Sequence, residues 1–347
     1  MINYKNILLV RTDRIGDVVL SLPLVGIIKK HIPDAKVSIL LRNYTKELAD
    51  GYPGLHNIII LNEEKGRTLF LSNIREIKKY NFDSCIIVYP TFKIALILFL
   101  ARLKNRIGTG YRWYSFLFNK KTYEHRKYGE KHELEYNTAL LKNIGLDEKI
   151  TPDNVSFNIH VKEENTQFVE KILLSAKYNN ELPTVIIHPG SAGSAVDLPI
   201  SKFKELASLM ARQLNVNIIL TGSATEKEIC NEINNENNLI NLAGEFNLGQ
   251  LIALINKSDL LIANSTGPIH IAAALKKSVI GFYPKIAACS PERWGPYTNK
   301  KYIFSPEIEC INCTKKQCEE INCMNSININ DVIKAVIKAI NNETVRS

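Results

Sequence analysis

Two segments near opposite ends of the chain share one grammar: an apolar run, a short polar turn, then a stretch with helical spacing. The first is Ile7-Leu8-Leu9-Val10 followed by Arg11-Thr12-Asp13-Arg14-Ile15-Gly16-Asp17 and then Val18–Lys30. The second is Asp259-Leu260-Leu261-Ile262-Ala263 followed by Asn264-Ser265-Thr266-Gly267-Pro268-Ile269-His270 and then Ile271–Leu275. Each predicts a buried strand that turns sharply into a helix. Such units assemble into a parallel sheet covered by helices, and their turn residues sit at the carboxyl end of the strand, where open α/β sheets hold ligands.

The same alternation fills the rest of the chain. In the first half, strands are expected at Ile7–Val10, Val37–Leu41, Ile58–Leu61 and Ser84–Val88. Helices are expected near Val18–Lys30, Thr68–Tyr80, Phe92–Leu103 and His132–Asn143. The second series has strands at Val185–His188, Asn217–Leu220, Leu239–Asn241, Leu260–Ala263 and Val279–Phe282. Its helices fall near Lys202–Leu214, Glu226–Asn235, Leu248–Ile255, Ile269–Leu275 and Asn330–Ile340. Strands alternating with helices imply an α/β fold with parallel sheets, and 347 residues accommodate two domains. The stretch Gly145–Ile159 carries Asp147, Pro152, Asp153 and Asn154 with little periodicity. It reads as the linker, dividing residues 1–155 from 156–347.

The two end turns carry different chemistry. Thr266 and Gly267 fall where a helix presents unpaired N–H groups and the positive end of its dipole, and Pro268 suits the first turn. That is a site for a diphosphate, and His270, about one turn further, would add a side-chain donor. An ordinary capped helix with an incidental histidine is the competing reading. In the first turn Asp13 and Asp17 bring carboxylates to the sheet edge, Arg11 and Arg14 bring positive charge, and Gly16 permits close backbone approach. Here the competing reading is that either aspartate only caps the helix.

With His188-Pro189-Gly190-Ser191 and Arg293-Trp294-Gly295-Pro296, these two turns make four motifs in order along the chain. Together they resemble bacterial glycosyltransferase family 9, the ADP-heptose:lipopolysaccharide heptosyltransferases. The resemblance implies a GT-B fold of two facing Rossmann-like domains, the first for an anionic glycolipid acceptor and the second for the ADP-sugar donor. It also implies that the last helix, about 330–342, packs back on the first domain. An inverting displacement needs a base and a stabiliser for the departing diphosphate. The resemblance gives the base to Asp17, with Asp13 as runner-up, and places Arg11, Arg14 and Gly16 on the acceptor side. Gly190, Ser191, Ser265, Thr266, Gly267, His270 and Glu226 fall to the donor side. For Glu226, a carboxylate in the first turn of a helix is an equal account.

Two positions depart from the family pattern. The family's Ala-Lys-x-Trp-Pro is Ala195-Val196-Asp197-Leu198-Pro199 here, and its aspartate before the Thr/Ser-Gly pair is Ser265. A lost cation and a lost carboxylate leave open a relative that uses another nucleotide sugar, and a catalytically silent protein that binds nucleotide or glycolipid. No Asp-x-Asp motif occurs, so no cofactor is expected for catalysis.

Charge is one-sided. Residues 1–155 carry 25 Lys and Arg against 16 Asp and Glu, whereas residues 156–347 carry 19 of each. A basic first domain suits an anionic partner. Arg102, Lys104, Arg106, Arg112, Lys120, Lys121, Arg126, Lys127 and Lys131 form a cluster with Trp113, Tyr114, Phe116 and Phe118 interleaved. That mixture suits contact with the inner membrane surface, and a solvated face with a buried aromatic cluster is the competing reading. Nucleic acid is not expected, because no RNA-binding or zinc-finger pattern accompanies it. The first strand starts without a leader and the longest apolar run, Ile94–Ala101, is too short for a bilayer, so a cytoplasmic protein is expected. Finally, Cys310, Cys313, Cys318 and Cys323 have ligand-like spacing. In a reducing compartment they would hold a structural metal or remain thiols.

Overall fold

The computed structural model describes residues 4–234, 239–308 and 314–344. The chain divides into two compact units, one of residues 1–126 and 131–160, the other of residues 127–130 and 161–347. The division lies at His160/Val161, later than the linker pattern predicts. Ile150, Phe157 and Ile159 are buried, so most of the expected linker is part of the first unit.

The first unit is a six-stranded sheet built from β1 (Asn6–Val10), β2 (Lys36–Leu41), β3 (Leu55–Ile60), β6 (Ser84–Ile87), β7 (Asn105–Thr109) and β8 (Lys120–Thr122). The small antiparallel pair β4 (Glu63–Glu64) and β5 (Arg67–Thr68) lies outside it. The sheet order is β3-β2-β1-β6-β7-β8, and each pairing is parallel. The order reverses direction between β1 and β6, so the carboxyl end of β1 opens at the switch point, where such sheets leave a crevice. Strands β7 and β8 carry few apolar residues, and the alternation in sequence does not reveal them.

The expected helix at Val18–Lys30 is two helices, α1 (Ile15–Val19) and α2 (Pro23–His31). Pro23 has no N–H to continue the ladder, and it takes the first turn of α2 instead. The carbonyls left at the break find other donors: Asn137 Nδ2 lies 2.9 Å from the Leu20 oxygen, and the Tyr52 hydroxyl 3.0 Å from that of Leu22. Further along come α3 (Phe70–Lys78), α4 (Phe92–Leu100) and α5 (Glu133–Thr138).

The second unit repeats the plan. Its strands are β9 (Thr184–His188), β10 (Asn217–Leu220), β11 (Ile240–Asn241), β12 (Leu260–Asn264), β13 (Ser278–Phe282) and β14 (Lys301–Phe304). They pair in parallel in the order β11-β10-β9-β12-β13-β14, with the switch between β9 and β12. Helix α6 (Glu163–Ser175) precedes them, and α7 (Ile200–Gln213), α8 (Lys227–Asn234), α9 (Leu248–Lys257) and α10 (Gly267–Ala274) connect them. The short α11 (Pro291–Trp294) and α12 (Lys315–Ile321) precede α13 (Ile329–Thr344). Ile329, Val332, Val336 and Ala339 recur at helical spacing and enter the second core, where α13 lies against α7, β12 and β13.

Candidate active site

In the first unit the switch point is occupied by charge. Arg11, directly after β1, is anchored by its N–H to the Leu40 carbonyl at 3.1 Å, and its side chain is only 2% exposed. Its Nε donates to Asp13 Oδ1 at 2.7 Å and its Nη2 to Asp17 Oδ1. Nη1 stands 3.5 Å from Asn137 Oδ1 and 3.7 Å from Glu133 Oε1. Glu133, also buried, pairs with Arg126 as well. The Arg11 guanidinium lies 5.9 Å from the centroid of the Tyr89 ring.

One guanidinium therefore organises three carboxylates. Burial works against its charge, but Asp17, Asp13 and Glu133 outweigh that and raise its pKa. Arg11, expected on the acceptor side, is buried and directs its guanidinium to the aspartates. Arg14 is exposed at the N-cap of α1, and Gly16 is buried in that helix. Because Arg14 holds the cap position, neither aspartate occupies it, and both carboxylates turn to Arg11. Burial pushes the Asp13 carboxyl up to about 6, against the pull of Arg11, and the nearby Asp17 adds to the rise. Asp17 is also raised, again by burial against Arg11. The Tyr44 hydroxyl donates to the Asp13 carbonyl at 2.6 Å, and Ser21 Oγ to the Asp17 carbonyl at 2.8 Å, which fixes the backbone at both positions.

Glu133, Asn137 and Tyr44 escape sequence reasoning. They arrive from elements far along the chain, and only the capping box His132-x-x-Glu135, which starts α5, hints that this segment is ordered.

In the second unit the ends of β9 and β12 are neighbours, with Ala263 paired to His188. This brings the His188–Ser191 and Asn264–His270 turns side by side, as two halves of one crevice. The buried Asn264 staples them: its Oδ1 accepts from the Leu198 N–H at 2.9 Å, and its Nδ2 donates to the Pro189 carbonyl at 2.6 Å. Thr266 is the N-cap of α10, with extended backbone, and Pro268 sits in the first turn, so Gly267 opens the helix as expected. Ser265 and His270 are buried, the latter on α10 itself.

Ser191, buried in the neighbouring turn, donates its hydroxyl to Asp197 Oδ2 at 2.8 Å. Burial lifts the Asp197 carboxyl to about 6. Val196, at the position of the family's lysine, is buried as well. His188 Nδ1 lies 3.0 Å from the Thr221 hydroxyl on the other side, and burial drops this imidazole to about 4, so it stays neutral near pH 7.

Glu226 completes a capping box with Ser223, accepting from its N–H at 2.7 Å and its Oγ at 2.8 Å. Burial raises this carboxyl, but the Ser223 bonds and the nearby His188 outweigh it, so its pKa is lowered. The carboxylate fills the space over Gly190, where a Cβ would run into it. Glycine here is a requirement of close approach. Further on, the Tyr283 hydroxyl donates to the Trp294 carbonyl at 3.1 Å, and Trp294 Nε1 to the Ala288 carbonyl at 2.9 Å, which holds the Arg293–Pro296 turn to its sheet edge. Cys318 and Cys323 are buried in the second core, while Cys310 and Cys313 lie outside the described residues. Among the described residues, no three His, Cys, Asp or Glu side chains are grouped to hold a metal ion.

Comparison with known proteins places this architecture. The sequence profile of glycosyltransferase family 9 (heptosyltransferase) matches residues 70–324, more than half of the chain. The lipopolysaccharide core heptosyltransferase OpsX of Haemophilus influenzae is 26% identical over 310 residues, covering 87% of this chain and 84% of that one. Among solved structures, a family 9 glycosyltransferase from Veillonella parvula has a TM-score of 0.82 at 18% identity, with 97% of each chain covered. The ADP-heptose lipopolysaccharide heptosyltransferase II of Escherichia coli has a TM-score of 0.78 at 20% identity, covering 98% of this chain and 99% of that one. These likenesses extend over both parallel-sheet units and agree with a GT-B fold.

Proposed function

The chain belongs to glycosyltransferase family 9 and is a glycosyltransferase, and from that premise we propose that it transfers a heptose, with inversion, from an ADP-linked donor to a lipopolysaccharide inner-core acceptor. One observation carries the reading: two carboxylates at a sheet switch point are held by a buried arginine, and neither occupies the cap of the following helix. A raised carboxyl pKa is what a base working near neutral pH requires.

In the proposed step, the acceptor hydroxyl oxygen attacks the anomeric carbon and the bond from that carbon to the diphosphate oxygen breaks. The hydroxyl proton passes to a carboxylate and ADP departs with the bonding electrons. We assign the base to Asp17, with Asp13 as the partner that shares Arg11. On the donor side, the Gly267 N–H at the start of α10 and the dipole of that helix meet the diphosphate. His270 and Thr266 line the same turn, with Gly190 and Ser191 opposite. Ser265 and Val196 stand where the family carries an aspartate and a lysine, so the backbone has a larger share of the anion here. The ADP-heptose of the E. coli relative supports the donor.

The test pairs binding with turnover. Isothermal titration with ADP, UDP, GDP and CMP is expected to show preference for ADP, weakened by His270→Ala. Incubation with ADP-heptose and a de-acylated inner-core acceptor is expected to give a product of inverted anomeric configuration. Preference for another nucleotide would overturn the donor, and nucleotide binding without product would overturn the transfer.

A further inference from the structure

The outer side of α4 does not look like the outer side of a helix that faces water. Its inner face buries Ile94, Ala95, Ile97 and Leu98 in the first core, as the sheet demands. The opposite stripe should be polar. Instead Phe92, Phe99 and Leu100 are 38%, 43% and 40% exposed, with Leu96 half-buried between them. Trp113, on the loop after β7, packs its ring 4.8 Å from that of Phe92 and is itself 73% exposed. Phe116, three residues on, is 69% exposed. Scattered apolar residues are normal on a surface, but a stripe with a tryptophan laid along it marks a contact site.

Charge narrows the partner. The forty residues from Ser84 to Tyr123 hold seven Lys and Arg and not one Asp or Glu. Lys93, Arg102, Lys104 and Arg112 are exposed, and Arg106 lies over the Phe99 ring at 5.2 Å. A second copy docked two-fold on this face would bring the same cations against each other, which is repulsive. Apolar side chains interleaved with the cations of this stretch match an anionic lipid surface, where the rings enter the headgroup boundary and the cations meet phosphates.

We propose that the outer face of α4 with the Trp113 loop binds the surface of an anionic bilayer. This patch would bind lipid whatever the enzyme transfers, and only its purpose, meeting a lipid-anchored acceptor, rests on the function proposed above. Among the described residues no helix is long and apolar enough to cross a membrane, so the contact would be peripheral and reversible.

Flotation of the full chain with phosphatidylcholine vesicles, with and without phosphatidylglycerol, reads the binding directly, without nucleotide or acceptor. Binding is expected only with phosphatidylglycerol, and it should fall as salt rises. Arg102→Glu with Lys104→Glu, and separately Leu100→Glu with Trp113→Ser, should each lower the partition coefficient about tenfold or more. Thermal midpoints, ADP affinity and turnover on a soluble acceptor should be unchanged in both variants, which separates failure of this proposal from failure of the transfer reading. Absence of binding to phosphatidylglycerol vesicles, or equal binding by the variants, would overturn it. So would a dimer in sedimentation velocity that Trp113→Ser dissolves, because the face would then belong to a second copy. RNA retention lost in Arg102→Glu with Lys104→Glu would overturn it too.

Discussion

Arg11 Nε lies 2.7 Å from Asp13 Oδ1, and the two side chains are only 2% and 14% exposed. The guanidinium is thus a buried scaffold that holds Asp13 and Asp17 at the sheet edge with their pKa values raised. If either carboxylate is the base, activity should follow its ionisation. The rate at low substrate is expected to climb with pH through a limb above the ordinary carboxylate range and then level off. Asp17→Asn is expected to lower turnover by roughly 10²- to 10⁴-fold with ADP affinity kept, as loss of a general base does. Asp13→Asn is expected to shift the limb to lower pH, because one negative neighbour is gone. An unchanged rate in Asp17→Asn would move the role to Asp13.

The same pair makes a prediction about stability whose sign is fixed. Asp13 titrates at about 6 in the folded chain against an ordinary 3.8, so the folded state binds the extra proton between these values. Its contribution is fully present below about pH 4 and is lost as pH rises to about 6. Asp13→Asn removes that titration. Urea unfolding at pH 4.5 and pH 7.5 should therefore show a smaller loss of stability with rising pH in Asp13→Asn than in the wild type. Glu133→Ala should instead destabilise the fold, costing about 3 kcal/mol, because it deprives the buried Arg11 and its neighbour Arg126 of a partner.

Gly190 and Glu226 supply a separable test of the second unit. A Cβ at Gly190 would meet the Glu226 carboxylate, which the Ser223 N–H and Oγ hold in place. Gly190→Ala is expected to destabilise by about 1–3 kcal/mol, the usual scale of overpacking, and to weaken ADP binding. Glu226→Ala should restore part of that loss in the double variant. A double-mutant cycle with no coupling would show that the turn relaxes elsewhere.

How much of this was legible in the sequence follows from where each signal resides. Strands β1, β9 and β12 each hold a buried apolar run next to a glycine-bearing turn, so they, and the turns after them, are legible directly. Strands β7 and β8 lie at one side of the first sheet and carry Asn, Arg, Lys and Thr, so their pairing is set by neighbours rather than by local pattern. Helix α13 has a clear apolar stripe, but a stripe does not say which core it enters. Asp13 and Asp17 were visible as residues. The burial of Arg11 was not, because it depends on Glu133 and Asn137, more than a hundred residues away.

The last prediction concerns Asn264, which the sequence marks only as the first residue of a turn. Its side chain is fully buried and joins the Leu198 N–H to the Pro189 carbonyl. An alanine there leaves a donor and an acceptor without partners in the interior, a loss of about 1–3 kcal/mol for each group left unsatisfied. The effect should also reach function, since the staple links the turns carrying Gly190 and Gly267. Asn264→Ala is expected to lower the thermal midpoint by several degrees and to weaken ADP binding, with vesicle binding intact. Asn264→Asp keeps an acceptor for Leu198 but turns a carboxylate oxygen toward the Pro189 carbonyl, so it should be no better than alanine. Calorimetry of both variants, with ADP titration in parallel, decides the matter: a lowered midpoint with undiminished ADP affinity would mean that the two turns hold the nucleotide independently of their staple.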